Sequence, residues 1–195
     1  TPPMPPLLQT RALVKRFPGV VALDGVDFSL HSGEIHALCG ENGAGKSTLI
    51  KTLSGIHPFG SYEGEILLAD EPVRFASLRD AEAASIGVIY QELALVPELT
   101  VAENLALGRE PTRAGSIDWL RMIADARRLC ARFDVDLDPE QRLGDLGVGQ
   151  QQLVEILRAL GKDTRILILD EPTAALSDTE AQRLLEILRQ LRERG

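Results

Sequence analysis

The stretch GENGAGKST, residues 40–48, decides the fold. It satisfies G-x-x-x-x-G-K-[ST], with the strand-like EIHALC (34–39) before it and the helical run GKSTLIKTLSG (45–55) after it. Gly40, Gly43 and Gly45 let the backbone curl, so the N–H groups of Glu41, Asn42, Ala44 and their neighbours point inward at phosphate oxygens. Lys46 then reaches the outer phosphates of a nucleotide and Ser47 offers a hydroxyl to Mg²⁺. Thr48 closes the first turn of a helix whose N-terminus favours negative charge. The plain alternative is a glycine-rich turn with no ligand.

Outward from this loop, composition narrows the classes. A chain of 195 residues with 44% apolar and 26% charged residues suits one soluble α/β domain, with or without a small subdomain. The net charge of −8 argues against a broad nucleic-acid-binding face but leaves room for a local phosphate site. Cys39 and Cys130 form neither a disulfide framework nor a CxxC pair, and both read as small buried apolar residues of a reducing compartment. No apolar run approaches the ~18 residues of a membrane span, and no signal peptide opens the chain. The proline-rich start, residues 1–6, reads as a disordered lead-in.

Along the chain, VDFSL (26–30) and EIHALCG (34–40) read as strands, with Asp24-Gly25 and Ser32-Gly33 as turns. Leu49, Ile50 and Leu53 share one face of the helix after the loop, which Gly55 ends. GEILLADEPVRF (64–75) reads as a hairpin and IGVIY (86–90) as a buried strand. Residues 92–145 change character into a helical insert. Thr100 and Glu103 form a capping box there, and a helix near 117–133 is punctuated by Ile117, Leu120, Ile123 and Phe133. A helix over 150–160, the strand RILILD (165–170) and a helix over 178–193 follow, the last with a Ser177/Glu180 capping box. Together these predict an α/β fold with a P-loop NTPase core, mostly parallel sheet with flanking helices. An N-terminal antiparallel β-subdomain and the helical insert complete it.

A phosphate loop that hydrolyses its nucleotide needs an acidic strand end. Two candidates exist, ILLADEP (66–72) and ILILDEP (166–172). The first follows Glu65 and precedes the alternating VRF, which places Asp70 and Glu71 in a solvated hairpin turn. The second runs four apolar residues into Asp170, as a strand buried on both faces would, so Asp170 and Glu171 are preferred. Gln91, after the strand GVIY, is either an amide at the site or a loop residue. Phe17 is either a core residue or a stacking surface. In DLGVGQQQ (145–152), Gly147 and Gly149 open a helix, which is either an anion-binding start or an ordinary capped helix.

Taken in order, GENGAGKST, Gln91, LGVGQ (146–150), ILILDEP and AALSD (174–178) resemble the nucleotide-binding domain of ABC transporters, over residues 8 to 195. KRFPGVVALDGVDFSL, QELALVPELTVAENLALGRE and GVGQQQLVEI are similar to bacterial monosaccharide importers, and GSYEGEI (60–66) is most similar to D-xylose importers, as the first of two such domains. The resemblance implies ATP and Mg²⁺ at Gly40, Glu41, Asn42, Gly43, Ala44, Gly45, Lys46, Ser47 and Thr48, with adenine stacked on Phe17. It implies Mg²⁺ held through Ser47, Gln91 and Asp170, and turnover carried by Glu171, Gln91 and Lys46. It also implies that Leu146, Gly147, Val148, Gly149 and Gln150 form a signature meeting the γ-phosphate of a second ATPase domain. A transmembrane permease and a periplasmic sugar-binding protein are the other implied partners, and the cytoplasmic face of the inner membrane is the implied location. No nucleic acid is expected. The helical subdomain would span about 92–160.

Two departures stand out. Gly147 occupies the place of the family's signature serine, which removes one hydroxyl contact of about 1.5–3 kcal/mol. The switch histidine is expected on a strand beyond Gly195, because His31, His36 and His57 come too early and read as surface or loop residues. The fragment is therefore expected to bind ATP and hydrolyse it poorly. Competing readings are a soluble ABC-type ATPase acting on DNA or the ribosome, and a regulatory module that binds nucleotide without turnover.

Overall fold

Alternation in LQTRALVKRF builds strand β1 (Leu8–Phe17), which pairs antiparallel with β2 (Val20–Leu30) across a turn at Pro18-Gly19. The inward phase of β1 is Leu8 and Thr10, then Leu13 and Lys15. A plain strand would alternate and expose Leu13. The register between Thr10 and Leu13 gains one residue on β1, and Ala12 takes the left-handed φ of 47°. This bulge turns Leu13 back into the core. A compensating bulge on β2 holds Asp24 and Gly25, with Gly25 at φ 67°. The pair expected to form a turn is thus a bulge inside a continuous strand.

The computed structural model describes residues 5–90, 94–161, 164–173 and 176–193. Most of the proline-rich lead-in and Gln91 lie outside the described residues. Contacts divide the chain into Thr1–Ile86 with Leu188–Gly195, and Gly87–Ile187.

In the first unit, α1 (Lys46–Leu53) follows the glycine-rich loop and buries Leu49, Ile50 and Leu53, the face expected from the sequence. Strands β3 (Glu63–Leu68) and β4 (Glu71–Val73) form the expected hairpin and complete a sheet of order β2-β1-β3-β4, antiparallel throughout. Ala69 and Asp70 make its turn with φ of 48° and 66°, so Asp70 is an exposed turn residue and Glu71 an exposed strand start. Helix α2 (Leu78–Ala83) ends this segment. Residues 34–40, expected as a strand, join no sheet among the described residues and are exposed. No described strand supplies the ladder they would need. Cys39, expected to be buried, is exposed with them, while Cys130 is buried.

In the second unit, β5 (Ile86–Ile89) pairs with a strand near the end of the chain, after a helical region. Helix α3 (Val101–Ala106) starts with the predicted capping box: Thr100 N–H donates to Glu103 Oε2 at 2.7 Å, and Thr100 Oγ1 accepts from Glu103 N–H at 3.3 Å. A small ribbon, β6 (Thr112–Arg113) and β7 (Ser116–Ile117), precedes α4 (Trp119–Arg132). The buried stripe of α4 is Met122, Ala126 and Cys130, followed by Phe133. Ile117 lies in β7, and Leu120 is 83% exposed, so the apolar punctuation expected there is shifted around the helix. Helix α5 (Val148–Leu160) leads to β8 (Ile166–Leu169) and then to α6 (Asp178–Glu193), whose residues from Leu188 onward belong to the first unit. Asp170 N–H donates to Ile89 C=O at 2.9 Å. That bond sets the C-terminal ends of β5 and β8 side by side, so the two strands run in the same direction.

Candidate functional site

The glycine-rich loop enters α1 through two left-handed residues, Gly43 at φ 86° and Gly45 at φ 92°, with Ala44 between them. Such alternation turns successive N–H groups toward one concavity. Gly45 is the N-cap of α1, and its carbonyl accepts from Leu49 N–H at 2.9 Å. A Cβ at Gly45 would collide with the Ala22 carbonyl oxygen, so only glycine lets the loop lie against β2. Lys46 folds back over the loop, donating from Nζ to Gly40 C=O at 2.6 Å and Glu41 C=O at 3.0 Å. Its charge is thereby held at the mouth of the concavity, where an incoming phosphate would exchange carbonyl oxygens for anionic ones. Ser47 is exposed on the first turn and Thr48 half-buried behind it.

Phe17 closes β1 in the same unit. It is 40% exposed, which removes it from the core. Lys15 Nζ sits 5.2 Å from its ring centroid, and His57 meets it edge-on at 5.5 Å. Lys15 itself donates to Ser61 C=O at 2.6 Å. Burial, and next the nearby Lys15 and Lys51 charges, lower the pKa of His57. His31 and His36 are exposed, as expected of surface residues.

In the second unit, Gly147 is the N-cap of α5 with extended backbone, φ −61° and ψ 155°. Its N–H donates to Gln150 Oε1 at 3.4 Å. Leu146 is buried and Val148 is 52% exposed, so the chain is anchored just before the turn and open just after it. The Glu180 carboxylate lies where a Cβ on Gly149 would stand, so a larger residue there would have to displace the end of that side chain. Glu180 caps α6: Ser177 N–H and Oγ donate to its Oε2 at 2.9 and 2.7 Å. The hydroxyl bond is the larger cause of its lowered pKa. Asp170 follows β8 half-buried, and Glu171 turns the chain with a left-handed φ of 48° and is exposed. The loop 40–48 thus belongs to the first unit, and 146–150 with 170–171 to the second.

A glycine loop before a helix, a glycine-capped second helix and an Asp-Glu pair at the end of a strand that is half-buried beyond Ile166, not buried throughout as expected, meet one family pattern, that of the ABC transporter, over residues 23–174. The chain belongs to the ABC transporter family. It is 54% identical over 189 residues to a xylose import ATP-binding protein of Moorella thermoacetica, covering 97% of this chain and 38% of that one. It is 55% identical over 193 residues to a ribose import ATP-binding protein of Rubrobacter xylanophilus, covering 98% and 38%. The chain therefore spans about two fifths of the length of these relatives. Among solved structures, a nucleotide-free ATP-binding cassette from an ABC transporter superposes with a TM-score of 0.82 at 26% identity, covering 97% of this chain and 78% of that one. The α/β P-loop NTPase fold expected from the sequence is the fold of this cassette.

Among the described residues of the cassette, no group of three or more His, Cys, Asp or Glu side chains forms a metal cage. A Mg²⁺ ion delivered on phosphates needs none, since it keeps waters and takes one or two protein oxygens. The Ser47 hydroxyl beside the loop fits that demand. Sequence reasoning passed over Glu155 and Arg158 on α5. Glu155 is 4% exposed inside the apolar run LVEIL, and a carboxylate in such a run was the signal available. Burial raises its pKa, against the opposing Ala94 N–H bond and Arg158 charge.

Proposed function

We propose that this cassette is the ATP-binding and ATP-hydrolysing motor of a bacterial importer for a monosaccharide, D-xylose or a similar sugar. The observation that carries the reading is Lys46 held over the carbonyls of Gly40 and Glu41, at a loop whose left-handed Gly43 and Gly45 open onto α1. That geometry suits a phosphate chain such as the tail of a nucleoside triphosphate. The relatives at 54% and 55% identity, named for xylose and ribose import, support the transport role.

In this reading residues 40–48 cradle the phosphates of ATP, while Phe17 presents its exposed ring to the base. Ser47, Asp170 and Gln91 hold Mg²⁺, which when bound neutralises charge on the phosphates. Glu171 polarises the attacking water, while Gln91 senses the γ-phosphate and passes closure toward the permease. Leu146 to Gln150 present the N-terminus of α5 to a nucleotide held by a second ATPase domain, without the hydroxyl that a serine at 147 would add. The transmembrane permease docks on the helical region and the cassette works at the cytoplasmic membrane face, with a periplasmic protein delivering the sugar. No helix of the described residues is long and apolar enough to cross a membrane. The domain boundaries follow the same reading: residues 7–195 form one ATP-binding domain with a helical subdomain at about 92–160. Without the partner domain it binds ATP and turns it over poorly.

The test uses the complete protein assembled with its permease. Glu171→Gln keeps ATP affinity and lowers turnover by roughly 10²–10⁴-fold, the contribution of a positioned general base. Lys46→Ala abolishes ATP binding. Turnover near the parental rate in Glu171→Gln, or unchanged ATP affinity in Lys46→Ala, rejects the assignment.

A further inference from the structure

Glu155 and Arg158 lie one turn apart on α5, and together they grip a single backbone position. Ala94 N–H donates to Glu155 Oε1 at 3.2 Å, and Arg158 Nη1 donates to Ala94 C=O at 2.5 Å. Arg158 Nη2 completes the triangle with Glu155 Oε1 at 3.1 Å. The two side chains are 5% and 18% exposed. The motif repeats two residues on. Val96 N–H donates to Asn104 Oδ1 at 2.8 Å, and Asn104 Nδ2 donates to Val96 C=O at 3.0 Å, from a fully buried side chain on α3. Residues 94 and 96 thus have both main-chain polar groups satisfied by side chains, as alternate residues of a strand would have theirs satisfied by a neighbour.

A buried carboxylate is expensive, and an apolar residue in this run would pack α5 at lower cost. The glutamate is explained by what it holds. The segment it pins follows Gln91 by three residues in the chain, and the helix it stands on begins at Gly147 and Val148. The charged pair therefore makes one mechanical link between the main chain at Ala94 and the helix that starts at the signature.

We propose that Glu155 and Arg158 are positioning residues for ATP hydrolysis, fixing the main chain at Ala94, three residues after Gln91 in the chain, to α5 so that the chain at Ala94 and the signature end of α5 move together. This rests on the motor reading above, in which Gln91 addresses the γ-phosphate. Neither residue touches nucleotide. Their loss should therefore slow the chemical cycle and leave ATP binding alone, whereas a merely structural pair would lower folded protein and binding together.

The experiment compares the complete two-domain protein, assembled with its permease, as parent, Glu155→Ala, Glu155→Gln and Arg158→Met. Hydrogen exchange at the Ala94 amide reports the grip, Mg-ATP titration reports binding, and steady-state hydrolysis gives kcat and KM. Glu155→Ala is expected to speed Ala94 exchange at least tenfold and lower kcat about tenfold, with Kd and KM for ATP within twofold. Glu155→Gln keeps an oxygen for the Ala94 N–H and regains at least half of kcat. Arg158→Met keeps the packing stem and loses the carbonyl bond, so it follows Glu155→Ala and decides the matter if that variant does not fold. Parental kcat in Glu155→Ala and Arg158→Met overturns the proposal, as does a joint loss of ATP affinity and kcat that glutamine fails to rescue. A parent complex that hydrolyses no ATP rejects the motor reading and the positioning role with it, while Ala94 exchange still decides whether the grip exists.

Discussion

Alanine placed at Gly45, Gly43 and Gly19 separates the stability of the phosphate loop from its chemistry. All three glycines have left-handed backbones, at φ 92°, 86° and 79°. An L-residue there costs about 1–2 kcal/mol, of which roughly 0.4–1 is offset by the stiffer unfolded chain. Gly19 and Gly43 have nothing within 4 Å of the place a methyl would occupy, so the net loss is that difference, about 0.5–1.5 kcal/mol. At Gly45 the methyl would run into the Ala22 carbonyl oxygen and come within 3.2 Å of Leu23 Cδ2. The obstacle is backbone and cannot swing away, so overpacking adds about 1–3 kcal/mol and the total reaches about 2–4 kcal/mol. With a urea dependence of about 2 kcal/mol per molar, Gly45→Ala should lower the unfolding midpoint by about 1–2 M. The two control substitutions should stay below about 1 M. Exchange of the Leu49 amide, which bonds to Gly45 C=O, reports this unit directly. Mg-ATP titration then divides the set: Gly19→Ala binds like the parent, and Gly43→Ala loses at least tenfold in affinity at nearly the same stability as Gly19→Ala. Equal midpoints for Gly45→Ala and Gly19→Ala would refute the close approach to β2. Parental affinity in Gly43→Ala would refute the nest.

Two other outcomes follow from the geometry. Gly147 has extended backbone and open space around its Cβ position, so Gly147→Ser fits without strain. As an N-cap it should stabilise α5 by a few tenths of a kcal/mol. One hydrogen bond to a charged group, about 1.5–3 kcal/mol, should raise turnover at the facing site roughly tenfold or more, measured in the complete transporter. No rise in turnover would show that this position does not meet a phosphate. His57 titrates below its ordinary value of 6.5 because of burial and the Lys15 and Lys51 charges. As pH falls through 6.5 the unfolded chain takes up the proton first, so His57 contributes stability above that pH and loses it as pH drops toward the folded value. His57→Gln should flatten this part of the stability profile in urea titrations between about pH 5 and 7.5. An unchanged slope would place the titration elsewhere.

Short-range physics made most of the elements legible. The loop 40–48, the Thr100/Glu103 and Ser177/Glu180 boxes, the hairpin turn at Asp70 and the apolar run into Asp170 each depend on residues within a few positions of one another. Their local hydrogen bonds are decided before the chain folds on itself. What the sequence left open depends on partners far along the chain. The bulges at Ala12 and at Asp24-Gly25 exist because Leu13 must face the same core as Leu8, and a pattern of apolar residues does not record an extra unpaired residue. Residues 34–40 have strand-like alternation, yet a strand exists only where a neighbour offers a ladder, and none of the described strands does. Glu155 was passed over because its donor, the Ala94 amide, lies 61 residues away in the chain. Composition and spacing alone determined that this protein carries a phosphate loop on an α/β scaffold. Tertiary structure decided which glycine of that loop is sterically obligatory and which buried charge holds the main chain, because both are contacts between segments that propensity and periodicity never bring together.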